Sequence, residues 1–527
     1  MFQERVPTPP GYMEVPPRLN MTREVLDAAI AAGRGTRVAF VGPAGSLTYA
    51  GLDARVRAFA AGCVGRGITR GDRVLIRMWN SFEYAIAFLG LAKIGAVPVM
   101  QNSAAGLPDV DYVLAHSDAV AAVAFAEIAE PLRALAGRLP RGLIVARGAA
   151  KGETAFEDMM RGGSVETADT SAEEPALMCY TSGTTGRPKG IVHAHRWIIG
   201  RGDPNRLRVP PQDNDVVLAS GEWSFISLLG HNVLFALRNG VTGAVLEGRA
   251  TPEKVLQSIA DYKVTVAYAV PTIYRRILAS EGIEKRYDLS SLRGCNASGE
   301  ALGAATLAEW KRRIGVDIWE HYGISEMQMV IGHSPLLPIK PGSIGVPWGV
   351  RAEILDEESR VVPAGTVGEL VFGADNPSMF LGYHKDPQKT AQVIRDGWYR
   401  TGDVAWKDED GYFWIAGRND DCFKSKGIFI APIEIENALL EHPAVAEVCV
   451  VPQPDEKDGN LIRAVVVARQ PGIDAASLSE ELRSLLKSRI AHNKVPQLFD
   501  FVAALPKSSN GKVLRREVSA MRVQPGR

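Results

Sequence analysis

The chain runs to 527 residues, of which 46% are apolar and 23% charged. That balance suits a folded globular protein and excludes a largely disordered one. Its 60 basic residues offset 60 acidic ones, so no net field draws nucleic acid and none is expected as a partner.

At about 150 residues per domain, roughly three to four structural units are anticipated. Cys63, Cys179, Cys295, Cys422 and Cys449 are widely spaced and form no C-x-x-C pair. Free thiols in a reducing, cytoplasmic setting are therefore expected, and a zinc site is not. Residues 1–20 carry Glu4, Glu14 and several prolines but no apolar run, so no secretory leader is read there.

In chain order, Val74 to Met78 reads as a strand. Tyr84 to Met100 is the most apolar stretch, but Lys93, Gly95 and Pro98 interrupt it. It reads as a core helix, Glu83 to Ile94, followed by a strand, rather than a membrane span. Ala176 to Tyr180 and the β-branched Val264 to Val270 are further strands, and Pro271 opens the next helix. Glu300 to Ile314 has helical spacing, with Leu302, Trp310 and Ile314 as anchors.

From about residue 345 to 416 the texture changes. Short strands (Arg351 to Leu355, Gly368 to Phe372, Tyr412 to Ile415) alternate with Gly, Pro and Asp turns, the pattern of a small β-rich subdomain. A break at Gly417 to Asp421 precedes helix Ile433 to Glu441, strands Ala446 to Val451 and Ile462 to Ala468, helix Leu478 to Ile490 and strand Leu498 to Ala503. The fold class is α/β. A large N-terminal domain, 1–419, combines α/β layers with the β-rich subdomain, and a small α+β domain occupies 420–527.

The strongest local signal is Tyr180-Thr181-Ser182-Gly183-Thr184-Thr185-Gly186-Arg187-Pro188-Lys189-Gly190. Glycines let backbone N–H groups turn toward an anion, hydroxyls add donors, and Lys189 adds charge, as a polyphosphate requires. It is not a Walker A loop, because Arg187 and Pro188 separate Gly186 from Lys189.

The loop resembles the phosphate signature of the adenylate-forming superfamily: acyl- and aryl-CoA synthetases, carrier-protein adenylation domains and luciferases. Further segments resemble the family's motifs in the same order. They are Ala297-Ser298-Gly299-Glu300, Tyr322-Gly323-Ile324-Ser325-Glu326, Trp398-Tyr399-Arg400-Thr401-Gly402-Asp403, Gly417-Arg418-Asn419-Asp420-Asp421, and Leu505 to Lys512. The resemblance extends from about Asn20 to Arg516.

It implies that ATP activates a carboxylic acid to an acyl-adenylate, with Mg2+, and that the acyl group passes to CoA. Thr181, Ser182, Gly183, Thr184, Thr185, Gly186 and Lys189 would then cradle the β- and γ-phosphates. Ser298, Gly299, Glu300 and Gly323 would line the nucleotide, and Tyr322 would pack on adenine. Ser325 would contact the α-phosphate, and Glu326 with Thr184 would hold Mg2+. Asp403 would accept from both ribose hydroxyls, and Arg418 would reach the ribose or phosphate.

Lys512 would be the adenylation lysine, carried on a mobile C-terminal domain that swings about Asp420 between two half-reactions. The opposite face, Lys424, Ser425, Lys426 and Gly427, would admit the pantetheine thiol of CoA. The family often has Ser-Gly or Gly-Gly where this chain has Lys426-Gly427; Lys426 either meets a CoA phosphate or is simply solvated.

The acid pocket would draw on Trp223, Phe225, Ser227, His231, Val270, Ala297 and Ile324. Amino-acid-activating relatives place an aspartate near Phe225-Ile226; an ammonium facing an apolar side chain would be costly, which argues against amino acids. An apolar, aromatic acid of benzoate type is expected, with Ser227 or His231 at a ring substituent, and several of these residues read equally well as core. Gly71 to Val74, Lys93 to Ala96 and Pro432 to Glu436 resemble benzoate- and aminobenzoate-type CoA ligases, whereas Ile339 to Gly342 is shared with medium-chain acyl-CoA synthetases. A medium-chain acid, or a carrier protein as acceptor, is the alternative; a homodimer is left open. His193-x-His195 reads as structural rather than metal-binding, and neither Cys179 nor Cys295 is given a catalytic role.

Overall fold

The helix Phe82–Lys93 is apolar around its whole circumference, and the structure buries every residue of it except Glu83. A helix of that kind belongs inside a core. Ser81 caps its first turn by accepting from the Tyr84 amide at 3.0 Å. Lys93 closes the last turn fully buried, its charge met by Asp27 at 2.7 Å.

The computed structural model describes residues 6–161, 163–181, 187–299, 302–426, 428–455, 459–470, 472, 474–507 and 513–521. Around the buried helix lie two large sheets. The first has eight strands, in the order Gly382–Tyr383, Lys189–Ala194, Pro175–Thr181, Val97–Met100, Arg73–Arg77, Ala119–Phe125, Leu143–Ala146 and Thr154–Ala155. The second has nine, in the order Val346–Pro347, Gln328–Gly332, Ile318–Ile324, Gly294–Ala297, Val266–Ala269, Val216–Ala219, Thr242–Ala244, Val38–Gly42 and Gly45–Thr48. Both are parallel at their centres; the second is antiparallel at both edges and the first at one, where Lys189–Ala194 and Gly382–Tyr383 lie. Parallel strands need helical crossovers, which explains the alternating periodicity of the sequence.

The β-rich subdomain is a five-stranded antiparallel sheet of Ala352–Leu355, Gly368–Gly373, Trp398–Lys407, Ile394–Arg395 and Phe413–Arg418. One apolar core joins all three sheets, including Phe40 from the second, Ile76 from the first and Phe372 from the third.

The small C-terminal domain has a separate core. Ile435, Leu439, Val450, Ala464, Leu482 and Leu486 pack two helices, Pro432–Leu440 and Ala475–Arg489, onto the strands Val445–Asp455, Gly459–Ala468 and Leu498–Phe501. A core of its own is what allows such a unit to move as a body. Among the described residues, no helix is long and apolar enough to cross a membrane.

Two of the boundaries that differ from the sequence expectation have a clear local cause. The helix expected from Glu300 begins at Ala304, because Gly303 sits at φ +85°, outside helical space. The strand expected to end at Val451 continues to Asp455 through Pro452 and Pro454. It is the edge strand of its sheet, where proline's missing N–H is tolerated.

Candidate active site

Thr181 ends one strand and Lys189 begins the next, and the two face each other across an antiparallel ladder. The described ends of the phosphate-loop segment, Thr181 and Lys189, are thus held side by side. Ser182, Gly183, Thr184, Thr185 and Gly186 lie outside the described residues, as do Glu300, Gly427 and Lys512.

Three strands bring Tyr322, Asp403 and Arg418 together. Asp403 and Arg418 are cross-strand partners in the β-rich sheet, and Tyr322 comes from the second large sheet. The Tyr322 hydroxyl donates to Asp403 Oδ2, and Arg418 Nε lies 3.1 Å from Oδ1. Burial, then the Asp403 charge, pushes the Tyr322 phenol well above its ordinary range. Burial alone would lower Arg418, but Asp403 with Tyr322, Asp420 and Asp421 outweighs it and holds the guanidinium charged. The Tyr322 ring centroid is 6.1 Å from that of Phe372.

A second group forms beside the loop. Glu326 Oε1 accepts from the Tyr383 hydroxyl at 2.6 Å, and Lys189 Nζ sits 5.5 Å from the centre of the same ring. Burial and the neighbouring Lys389 lower the Lys189 pKa, with Glu326 opposing. Tyr383 is a contact the sequence reading missed. Its strand, Gly382–Tyr383, is only two residues long, and nothing in its pattern announces that it pairs with Val192 and Ile191.

Among the described residues no three His, Cys, Asp or Glu side chains converge. Glu326 offers a carboxylate, an oxygen ligand of the kind Mg2+ prefers.

The H-x-H pair is structural. His193 Nε2 donates to the Ser325 carbonyl at 2.8 Å, and burial drops its pKa to about 3. His195 Nδ1 accepts from the Met21 amide at 3.0 Å. His193 therefore pins the backbone of Ser325, a role its spacing gave no hint of. Cys295 is buried and its thiol is pushed up to about 12; Cys179 moves in the same direction for the same reason.

The acid-pocket candidates divide. Phe225 and Val270 are exposed, at 36% and 39%. Ser227 and Ile324 are half-buried, and Ala297 is buried within its strand. Trp223 corrects the expectation of a lining ring. It is fully buried, packs edge-on to Tyr84 at 5.7 Å, and donates Nε1–H to Asn232 at 3.1 Å, so it is core behind the pocket. His231 is buried, stacked on Tyr268 at 4.6 Å and 3.3 Å from His321. Tyr268 in turn shares a hydrogen bond with Ser298.

On the thiol side, Phe423–Ser425 and Ile428–Ile430 form a hairpin. Lys424 and Lys426 are exposed, with Lys426 at φ +51° in the turn. Ser425 is a second correction, since its buried hydroxyl is spent on the Asn460 carbonyl at 2.7 Å. Asp420 lies in the tight turn after Arg418, where the Asp421 amide donates to the Arg418 carbonyl at 3.0 Å.

The family described as AMP-binding enzyme matches residues 28–384, and the AMP-binding enzyme C-terminal domain matches residues 434–512. The chain is 34% identical over 520 residues to a benzoate–CoA ligase of Thauera aromatica, covering 96% of this chain and 97% of that one. It is 30% identical over 512 residues to an uncharacterized acyl–CoA ligase of Bacillus subtilis (strain 168), covering 95% and 96%. A solved anthranilate CoA ligase in complex with anthranoyl-AMP aligns with a TM-score of 0.89 at 30% identity, over 96% of this chain and 98% of that chain. The fold and its site define an adenylate-forming enzyme. The chain belongs to the AMP-binding enzyme family, in both its large and its C-terminal domain.

Proposed function

We propose that the protein is an AMP-forming carboxylate–CoA ligase acting on an aromatic acid of benzoate type. The observation that carries the first part is the Tyr322–Asp403–Arg418 cluster: a buried carboxylate held between a phenol and a cation. An ionised carboxylate has about four lone-pair sites and suits a pair of ribose hydroxyls.

The acid is already ionised at neutral pH, so no general base is required. One of its oxygens attacks the α-phosphorus of ATP, the bond to the β-phosphate bridge breaks, and pyrophosphate leaves. The barrier is negative charge meeting negative charge, and fixed cations lower it. Lys189 and Arg418 supply described cations, and Lys512 is the further one expected at the α-phosphate.

Mg2+, held by Glu326 and Thr184, would neutralise phosphate charge. In the second half-reaction the CoA thiol gives up its proton and attacks the acyl carbonyl, and AMP leaves. Lys424 and Lys426 flank the entry proposed for that thiol.

The aromatic reading rests on the apolar side chains of the exposed Phe225 and Val270 and the half-buried Ile324, and on the benzoate–CoA and anthranilate CoA ligases among the relatives. Acid-dependent ATP–pyrophosphate exchange, followed by CoA-dependent AMP release, tests it. Exchange with benzoates and AMP release on adding CoA are expected. Exchange with medium-chain fatty acids alone would overturn the aromatic assignment.

A further inference from the structure

Behind the mouth of the acid pocket lies a group of donors that the reaction does not use. The helix Trp197–Arg208 presents Arg201, Asn205 and Arg208 at spacings of four and three, on one face. Arg201 is 1% exposed, and its Nε, Nη1 and Nη2 all lack a hydrogen-bond partner. Its one described ring contact is with Trp197, at 5.6 Å, which satisfies none of those N–H groups.

The guanidinium lies flat on the backbone of Gly230: a Cβ there would come within 2.4 Å of Arg201 Cζ. That puts it beside His231, the next residue, and so beside the His231–His321 contact. Arg208 gives two hydrogen bonds, to the His333 carbonyl and to Asn296 Oδ1, both at 2.7 Å, and its Nε is without a partner. His321 is also buried, with the Trp319 backbone beside its ring. A void of about 20 Å³ beside His231 and Tyr268 has room for one oxygen-sized group; its wall is mostly apolar, with Asn205 and Asn296 its other polar members, and does not include Arg201.

Burial pulls the Arg201 pKa down, and only the Tyr268 hydroxyl opposes it; no carboxylate of the described residues acts on it. Buried donors normally have partners, and a buried guanidinium without an anion is costly. The chain from Ser298 through Tyr268 and His231 to His321 runs from the nucleotide segment into this cluster, so the far end of a bound acid would reach it.

We infer that the acid carries a second oxyanion, which Arg201 binds with His231 and His321: a ring carboxylate or sulfonate opposite the carboxylate that is activated. This rests on the aromatic carboxylate–CoA ligase reading and specifies its substrate. Arg201 is then the specificity-determining residue.

The test compares kcat/KM for acyl-CoA formation by the full chain, with ATP, Mg2+ and CoA. The acids are benzoate, benzene-1,3- and 1,4-dicarboxylate and 3-sulfobenzoate, and the aliphatic pair hexanoate and adipate. A charged hydrogen bond carries on the order of 10- to 100-fold in affinity. At least one oxyanion-bearing benzoate is therefore expected to exceed benzoate tenfold or more. In Arg201→Met that ratio falls to about one, while Arg201→Lys keeps part of it; if either variant fails to fold, the wild-type ratios decide alone.

Benzoate matching or exceeding every oxyanion-bearing acid overturns the inference and leaves the ligase reading standing. Adipate far above hexanoate, with no aromatic acid turned over, keeps the oxyanion site and overturns the aromatic reading. Product from none of the acids overturns both.

Discussion

Replacing Asp403 by asparagine probes the nucleotide site at its most constrained point. The carboxylate is buried, and Tyr322 and Arg418 take two of its roughly four lone-pair positions. Asp403→Asn keeps the shape, removes the charge and turns one acceptor into a donor. One charge-assisted hydrogen bond to a ribose hydroxyl is lost, and the other becomes neutral. A bond of that kind contributes about 1.5–3 kcal/mol, which corresponds to roughly 10- to 150-fold in ATP affinity. The KM for ATP in pyrophosphate exchange should rise by that factor, while the KM for the acid stays near the wild-type value. An unchanged KM for ATP with a lower kcat would place Asp403 away from the ribose and refute the reasoning.

Other expectations follow from the same structure. Glu320, 9% exposed with its carboxylate accepting from the Leu302 amide at 2.9 Å, has its pKa pushed up to about 7 by burial. The folded protein thus binds the extra proton between about pH 4.5 and 7, and stability is lost as pH rises through that window. Glu320→Gln, which keeps the acceptor, should match wild-type melting near pH 4.5 and exceed it at pH 8.5 by up to ~3 kcal/mol; an equal difference at both pH values would contradict this. Glu326→Gln should raise the Mg2+ concentration needed for half-maximal adenylation tenfold or more, and Tyr383→Phe should do so by less, because it frees the carboxylate rather than removing it. An unaltered Mg2+ requirement in both would separate Glu326 from the metal. Lys512→Ala should lose adenylation far more than thioester formation from supplied acyl-adenylate; equal loss of both half-reactions would defeat that role.

Much of this architecture was readable from the residues. The buried helix at Phe82–Lys93 follows from the apolar run between Glu83 and Lys93, and the C-terminal unit from its α+β pattern after Gly417. The motif-bearing residues Tyr322, Asp403 and Arg418 meet in one cluster although 81 positions separate the first two.

What was hidden depends on neighbours that no local pattern encodes. Trp223 looked like a pocket ring, but Phe40, Tyr84 and Asn232 enclose it. Ser425 looked available for CoA, but Asn460, from a strand 35 residues on, claims its hydroxyl. Arg201 sits in a helix without any motif, and only its depth and the lack of a partner mark it. The strand expected to end at Val451 runs on through Pro452 and Pro454, which its edge position tolerates.

The central claim is tested most directly by identifying the product. The protein would be incubated with ATP, Mg2+ and the aromatic and aliphatic acids, with and without CoA, and the products read by mass spectrometry. An aromatic acyl-CoA together with AMP, formed only when CoA is present, is the predicted result. An acyl-adenylate that accumulates and persists in the presence of CoA would contradict it and point to a carrier protein or another nucleophile as the acceptor.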